Sequence, residues 1–83
     1  MTPRGKSKVP VSARAIVQRI NRQLAAVDQR LKTTRPGTRA EFDLGRHYII
    51  STRYRAIDET HVDLEDKARE LNALAAWEAL DER

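Results

Sequence analysis

Two histidines, a serine and nearby carboxylates supply the side-chain types for nucleophilic or metal chemistry. His47 and His61 stand fourteen residues apart, and the chain has no His-x-x-x-His or Asp-x-Asp pattern of the kind that gathers metal ligands. Ser51, a histidine and Asp58 are the types of a catalytic triad, but the sequence offers no elbow turn or oxyanion loop to activate them. We therefore expect a non-enzymatic protein without catalytic residues, metal or cofactor.

Basic side chains are the stronger functional signal, and they are concentrated in the first half of the chain. Residues 1–39 carry ten bases and one acid, a net charge of +9, whereas residues 40–83 carry six bases and eleven acids, a net charge of −5. Such asymmetry is typical of a chain that binds an anionic partner, and nucleic acid is the commonest one because its phosphates attract lysine and arginine through counterion release. Two alternatives stay open: a GC-rich genome that favours arginine codons, and pairing of the basic half with the acidic half.

The predicted nucleic-acid contacts come from a basic arm, the outer face of a first helix and the tip of a hairpin. They are Arg4, Lys6, Lys8, Arg14, Arg19, Arg22, Arg30, Lys32, Arg53 and Arg55. The sequence has no helix-turn-helix, zinc-finger or RNA-module signature, so we expect contact with the backbone rather than reading of bases. DNA is slightly preferred over RNA as the partner.

The first half of the chain is predicted to be an arm followed by a long helix. Residues 1–11 contain two prolines and three bases, which indicates an extended, mobile arm, and residues 12–83 are predicted to form one small domain. Ser12 is a suitable N-cap for a helix over residues 13–32. Apolar residues spaced by four and three positions predict this helix: Ala13, Val17, Ile20, Leu24, Val27 and Leu31.

The middle of the chain is predicted to contain a turn, a short helix and a β-hairpin. Pro36-Gly37 is a turn signal, and Thr38 with Glu41 resembles a capping box for a helix at 39–44 that Gly45 would end. Residues 46–52 are rich in β-branched and aromatic types, and 56–62 would return as the second strand. The alternative is a single helix over residues 39–57.

The end of the chain is predicted to be a second long helix over residues 64–80, with Asp63 as its N-cap. The predicted fold class is therefore α+β in the order helix, hairpin, helix, and the alternative is an all-α bundle. An 83-residue chain has a thin core, so we expect a homodimer. The absence of a long apolar stretch, a signal-peptide pattern and cysteine predicts a cytoplasmic protein with no membrane contact.

The alternative function is a protein-interaction module: an adaptor, an assembly factor or an inhibitor of a larger machine that processes nucleic acid. Its interface would consist of the heptad positions of the first helix and the apolar end of the last helix. These residues are Val17, Ile20, Leu24, Val27, Leu31, Leu74, Trp77 and Leu80. Trp77 is the expected anchor, because tryptophan is enriched among the residues that dominate binding energy.

Overall fold

The structure, a computed structural model, describes residues 8–81. In that range the chain is a mixed α+β protein, so the predicted class is confirmed and the all-α alternative is wrong. None of the helices in residues 8–81 is long and apolar enough to cross a bilayer. The elements in chain order are β1 Val9–Ser12, α1 Ala13–Leu24, β2 Gln29–Thr33, α2 Arg39–Leu44, β3 His47–Ser51, β4 Ala56–Glu59, α3 Leu64–Glu70 and β5 Glu78–Asp81.

The strands form two separate sheets. β2, β3 and β4 are antiparallel neighbours in that order, and β1 pairs in parallel with β5. β3 and β4 pair as the predicted hairpin does, so the rival helix over residues 39–57 is wrong. The predicted order of helix, hairpin and helix is incomplete, because β2 extends the hairpin and the two ends of the described chain make a second sheet.

Three predicted helix starts are confirmed, at Ser12, Thr38 and Asp63. Each side-chain oxygen accepts a hydrogen bond from the backbone N–H three residues later, at 3.1, 3.3 and 2.9 Å respectively. Short polar side chains satisfy N–H groups that the first helical turn leaves unpaired. These caps fix where the helices begin, but they do not determine where the helices end.

The predicted first helix is wrong beyond residue 24. α1 ends at Leu24, a 3₁₀ turn follows at Ala25–Val27, and Asp28 adopts a left-handed φ of 58° that reverses the chain. Leu31 still reaches the core, but it does so from β2, where alternate side chains point to one face. The apolar spacing therefore continued across a change from helix to strand.

The predicted last helix is wrong beyond residue 70. Asn72 adopts a left-handed φ of 58° just after α3 ends, and residues 78–81 form β5 instead of helix. β5 pairs with Val9–Ser12, so residues 9–11 belong to a sheet rather than to a mobile arm. Residues 1–7 of that predicted arm lie outside the described residues.

The core lies between α1, α3 and one face of the three-stranded sheet, which we call the inner face. Its largest fully buried side chains are Ile16 and Ile20 of α1 and Ile49 of β3. Burying an aliphatic side chain of this size stabilises a fold by about 1.5–3 kcal/mol. The remaining buried apolar residues are Val11, Leu24, Leu31, Leu64, Ala68 and Leu74.

Gly45, which ends α2, is predicted to tolerate no other residue. Its φ is 80°, and a Cβ atom there would lie 2.6 Å from the Cα atom of His61. Gly45→Ala should therefore lower the free energy of unfolding by about 2 kcal/mol, measured by urea denaturation. Gly37→Ala is the matched control, because Gly37 has a φ of 77° but open space around it. Equal destabilisation by the two changes would show that the contact with His61 contributes nothing.

Candidate anion-binding groove

An open groove of about 500 Å³ lies between α1, β2 and the start of β3. Three arginines line it, and we call it the arginine groove. Its lining residues are Ala13, Arg14, Val17, Gln18, Asn21, Arg30, Thr33, Arg46 and His47.

The arginine groove is strongly cationic. Within residues 8–81, its lining contains three arginines and no carboxylate. Arg14 and Arg30 are exposed, and neither takes part in an ion pair within the described chain. Carboxylates neutralise cations elsewhere: Arg19 pairs with Glu78 at 2.9 Å on another face of α1. The groove therefore concentrates positive charge that has no partner inside the fold, which favours an external anion.

Asn21 holds α1 against the free edge of β2. Its Oδ1 atom accepts a hydrogen bond from the Leu31 N–H at 2.7 Å, and its Nδ2 group donates to the Leu31 carbonyl at 3.3 Å. Without Asn21, both backbone groups of Leu31 would lack a protein partner at the sheet edge. This two-way contact places Arg14, on α1, across from Arg30, on β2.

Arg46 is held at the other end of the groove by backbone contacts. Its Nη1 group donates to the Thr34 carbonyl at 2.8 Å, and the buried Thr34 hydroxyl donates to the Gly45 carbonyl at 2.9 Å. A guanidinium has five N–H groups, so this bond positions the side chain and leaves further donors for an anion. Arg46 is not one of the ten nucleic-acid contacts predicted from the sequence.

His47 lies beside Arg46 and is half-buried. Its Nδ1 atom is 3.1 Å from the Thr33 hydroxyl oxygen. Burial lowers the pKa of His47 below its ordinary value of 6.5, the positive charge of Arg46 lowers it further, and Asp63 acts in the opposite direction. The imidazole is therefore neutral at pH 7. An anion in the groove would favour the protonated form of His47, which would give the groove a fourth positive charge.

The lowered pKa of His47 predicts a loss of stability on mild acidification. Between pH 7.5 and 5.5 the unfolded chain takes up a proton at a pKa of about 6.5, whereas the folded chain resists protonation. The free energy of unfolding should therefore fall as the pH falls through this window. His47→Gln should flatten the dependence, measured by urea denaturation at each pH. An unchanged dependence in that variant would assign the effect to other groups.

The structure separates the predicted nucleic-acid residues into four sets. Arg14 and Arg30 line the arginine groove. Arg19 forms a set of its own, because its guanidinium donates to both carboxylate oxygens of Glu78. Arg4 and Lys6 lie outside the described residues. The others are exposed away from the groove lining: Lys8, Arg22, Lys32, Arg53 and Arg55.

The predicted protein interface is mostly occupied by the chain's own core. Four of its residues are buried there: Ile20, Leu24, Leu31 and Leu74. Val17 and Leu80 are partly buried against the same core, so only Val27 and Trp77 stay exposed. The heptad spacing thus reflects packing within one subunit, whose own core encloses four of the eight side chains.

The residues considered for catalysis are dispersed. The Ser51 hydroxyl is buried and accepts a hydrogen bond from the Tyr54 N–H at 3.1 Å, which is a turn-stabilising role. His61 lies against Gly45 and does not line the groove with His47. In residues 8–81, no group of three or more His, Cys, Asp or Glu side chains is placed to hold a metal ion.

Comparisons of the chain with protein-family models, with curated proteins and with solved structures found no match.

Proposed function

We propose that this protein binds nucleic acid through the arginine groove, without catalysing a reaction on it. The observation that carries the proposal is the convergence of Arg14, Arg30 and Arg46 in a groove whose described lining has no carboxylate. The planar guanidinium donates paired N–H groups to phosphate oxygens, and arginine is the preferred residue for this contact. A regulatory role, by occupying or shielding a nucleic-acid segment, follows from binding without chemistry.

The shape of the groove favours a polymer over an isolated anion. The groove is open to solvent, and Lys32, outside its lining, adds positive charge on β2 two residues from Arg30. β1 leads directly into Ala13 at the groove, so Lys8 and the preceding Arg4 and Lys6 are close to it in the chain. We propose that these bases extend the contact along a phosphate backbone. Backbone contacts of this kind give affinity without reading sequence.

A binding titration at several salt concentrations tests the proposal. The probes are duplex DNA, single-stranded DNA and single-stranded RNA of one sequence, between about 50 and 200 mM salt. We expect a dissociation constant in the micromolar range or below. The logarithm of the association constant should fall linearly with the logarithm of the salt concentration. Dividing the slope by about 0.7 for a single strand, or about 0.9 for a duplex, gives the number of phosphates contacted. Weak binding that does not respond to salt would reject the proposal.

A second candidate function, a protein-interaction module, is favoured by two exposed apolar side chains at the start of the β1–β5 sheet. Trp77 is 68% exposed and Val9 is 54% exposed, and the Val9 N–H donates to the Trp77 carbonyl at 2.8 Å. Large exposed aromatic residues are frequent anchors of protein interfaces. We propose that a second copy of the chain docks there. Sedimentation equilibrium should detect a dimer that Trp77→Ser dissociates, whereas a monomeric wild-type protein would reject the homodimer.

A further inference from the structure

The three-stranded sheet has a second face, opposite the core, where basic side chains lie beside an aromatic ring and aliphatic side chains. In the strand register, Lys32 faces Tyr48, and Arg30 faces Ile50, which in turn faces Ile57. Side chains alternate between the two faces of a strand, and Leu31 and Ile49 point to the core. These five residues therefore share the opposite side, which we call the outer sheet face.

The outer sheet face is partly open to solvent. α1 and α3 bury the inner face, where Ile49 is fully enclosed, whereas Ile57 on the outer face is 52% exposed and Tyr48 and Ile50 are half-buried. At the strand positions that define this face, the described chain places two cations and no carboxylate. An aromatic ring and aliphatic side chains between cations are complementary to unpaired bases joined by phosphates.

We propose that the outer sheet face binds the bases of a single-stranded nucleic acid whose phosphates lie in the arginine groove. This inference rests on the proposed function and narrows its substrate to unpaired strands. Bases of a duplex are stacked inside the helix and cannot lie on Tyr48, whereas an unpaired base can stack on its ring.

Arg30 connects the two surfaces. It lines the arginine groove and also stands opposite Ile50 on the outer sheet face. A nucleic-acid strand that passes Arg30 can therefore keep its phosphates on the groove side and its bases on the sheet side. At the β3–β4 turn, Tyr54 is 75% exposed, with the Arg53 guanidinium 6.0 Å from its ring centre. This pair offers a second stacking position at the far end of the sheet.

The first test needs no variant. Dissociation constants are measured at one salt concentration for a single-stranded oligonucleotide, for its duplex, and for a strand of equal length whose central sugars carry no base. We expect the normal single strand to bind at least about tenfold more tightly than both others. Equal or tighter binding of the duplex, with a steep salt dependence, would overturn this inference and leave the proposed function intact. Weak binding of every probe that does not respond to salt would overturn both this inference and the proposed function.

The second test locates the stacking surface. Tyr48→Leu keeps an apolar side chain and removes the ring, so it should weaken binding of the normal single strand about tenfold without changing the salt slope. Tyr48→Phe keeps the ring and should retain the affinity to within about twofold. The strand without bases should bind wild-type and Tyr48→Leu proteins equally. Full single-strand affinity in a folded Tyr48→Leu protein, checked by thermal unfolding, would overturn the placement of bases on Tyr48.

Discussion

Replacing Arg14 and Arg30 together by glutamine should weaken nucleic-acid binding by at least about a hundredfold near 100 mM salt, because two charge-assisted contacts are lost and each is worth about 1.5–3 kcal/mol. Both side chains are exposed and line the arginine groove without an ion-pair partner in the described chain, so the substitution leaves the folded protein's internal contacts in place. The salt slope should also become shallower by about 1.4 for a single strand, the loss of two phosphate contacts. A filter-binding or fluorescence-anisotropy titration measures both quantities.

A double substitution of equal charge is the matched control. Arg35 and Arg39 are exposed and lie outside the groove lining, and the pair between Arg39 and Asp43 is a surface contact. Arg35→Gln with Arg39→Gln removes the same two charges, so it reports the effect of net charge alone. We expect it to raise the dissociation constant by about threefold or less, since screening weakens distant surface charges. If the two double variants bind equally, net charge and not the groove accounts for affinity.

Ile49→Ala should lower the free energy of unfolding by about 3–4 kcal/mol, the largest stability effect that we expect from one substitution. Ile49 is fully buried in β3, the central strand of the three-stranded sheet, and faces Leu31 across the β2–β3 pair. Truncation leaves a cavity between the sheet and the helices that surrounding groups cannot fill. Urea denaturation followed by circular dichroism gives the free energy, and the slope with denaturant shows whether unfolding stays two-state.

Ile57→Ala on the neighbouring strand is the control for Ile49→Ala. Ile57 belongs to the same sheet but lies on the outer face and is 52% exposed. Surface truncations away from special contacts usually change stability by about 0.5 kcal/mol or less. A loss of several kcal/mol at Ile57 would mean that a part of the molecule covers the outer sheet face. Such a result would also count against the stacking surface inferred there.

Features whose physics is local were predictable from the sequence. Ser12, Thr38 and Asp63 each cap a helix through a bond to a backbone group three residues away, so neighbouring residues contain all the information. The hairpin strands followed from a run of β-branched and aromatic residues around Ile49 and Ile50.

Features that depend on distant contacts were not predictable in the same way. β5 forms because it pairs with β1 from the opposite end of the described chain, and neither strand has a marked local preference. The apolar spacing through Leu24, Val27 and Leu31 suits a helix, yet Leu31 is buried from a strand. The 3₁₀ turn at Ala25–Val27 and the left-handed Asp28 separate the two elements, and an aspartate by itself does not predict that conformation.

The candidate site was predictable in its charge but not in its geometry. The basic composition of the first half of the chain predicted Arg14, Arg19 and Arg30 equally as nucleic-acid contacts. Glu78, 59 residues further along the chain, forms an ion pair with Arg19. The contact of Asn21 with β2, in contrast, brings Arg14 and Arg30 into one groove. These pairings are tertiary, so composition and spacing alone cannot tell an engaged arginine from one that is available to a ligand.

The most direct test of the arginine groove is amide chemical-shift mapping of the ¹⁵N-labelled protein during titration with its tightest-binding oligonucleotide. We expect the largest shifts in the N-terminal half of α1, in β2 and at the start of β3, with the His47 ring resonances moving toward their protonated positions. The amides of α3 should shift little. Largest shifts around Trp77, or at residues scattered evenly over the molecule, would contradict the assignment of the groove as the binding surface.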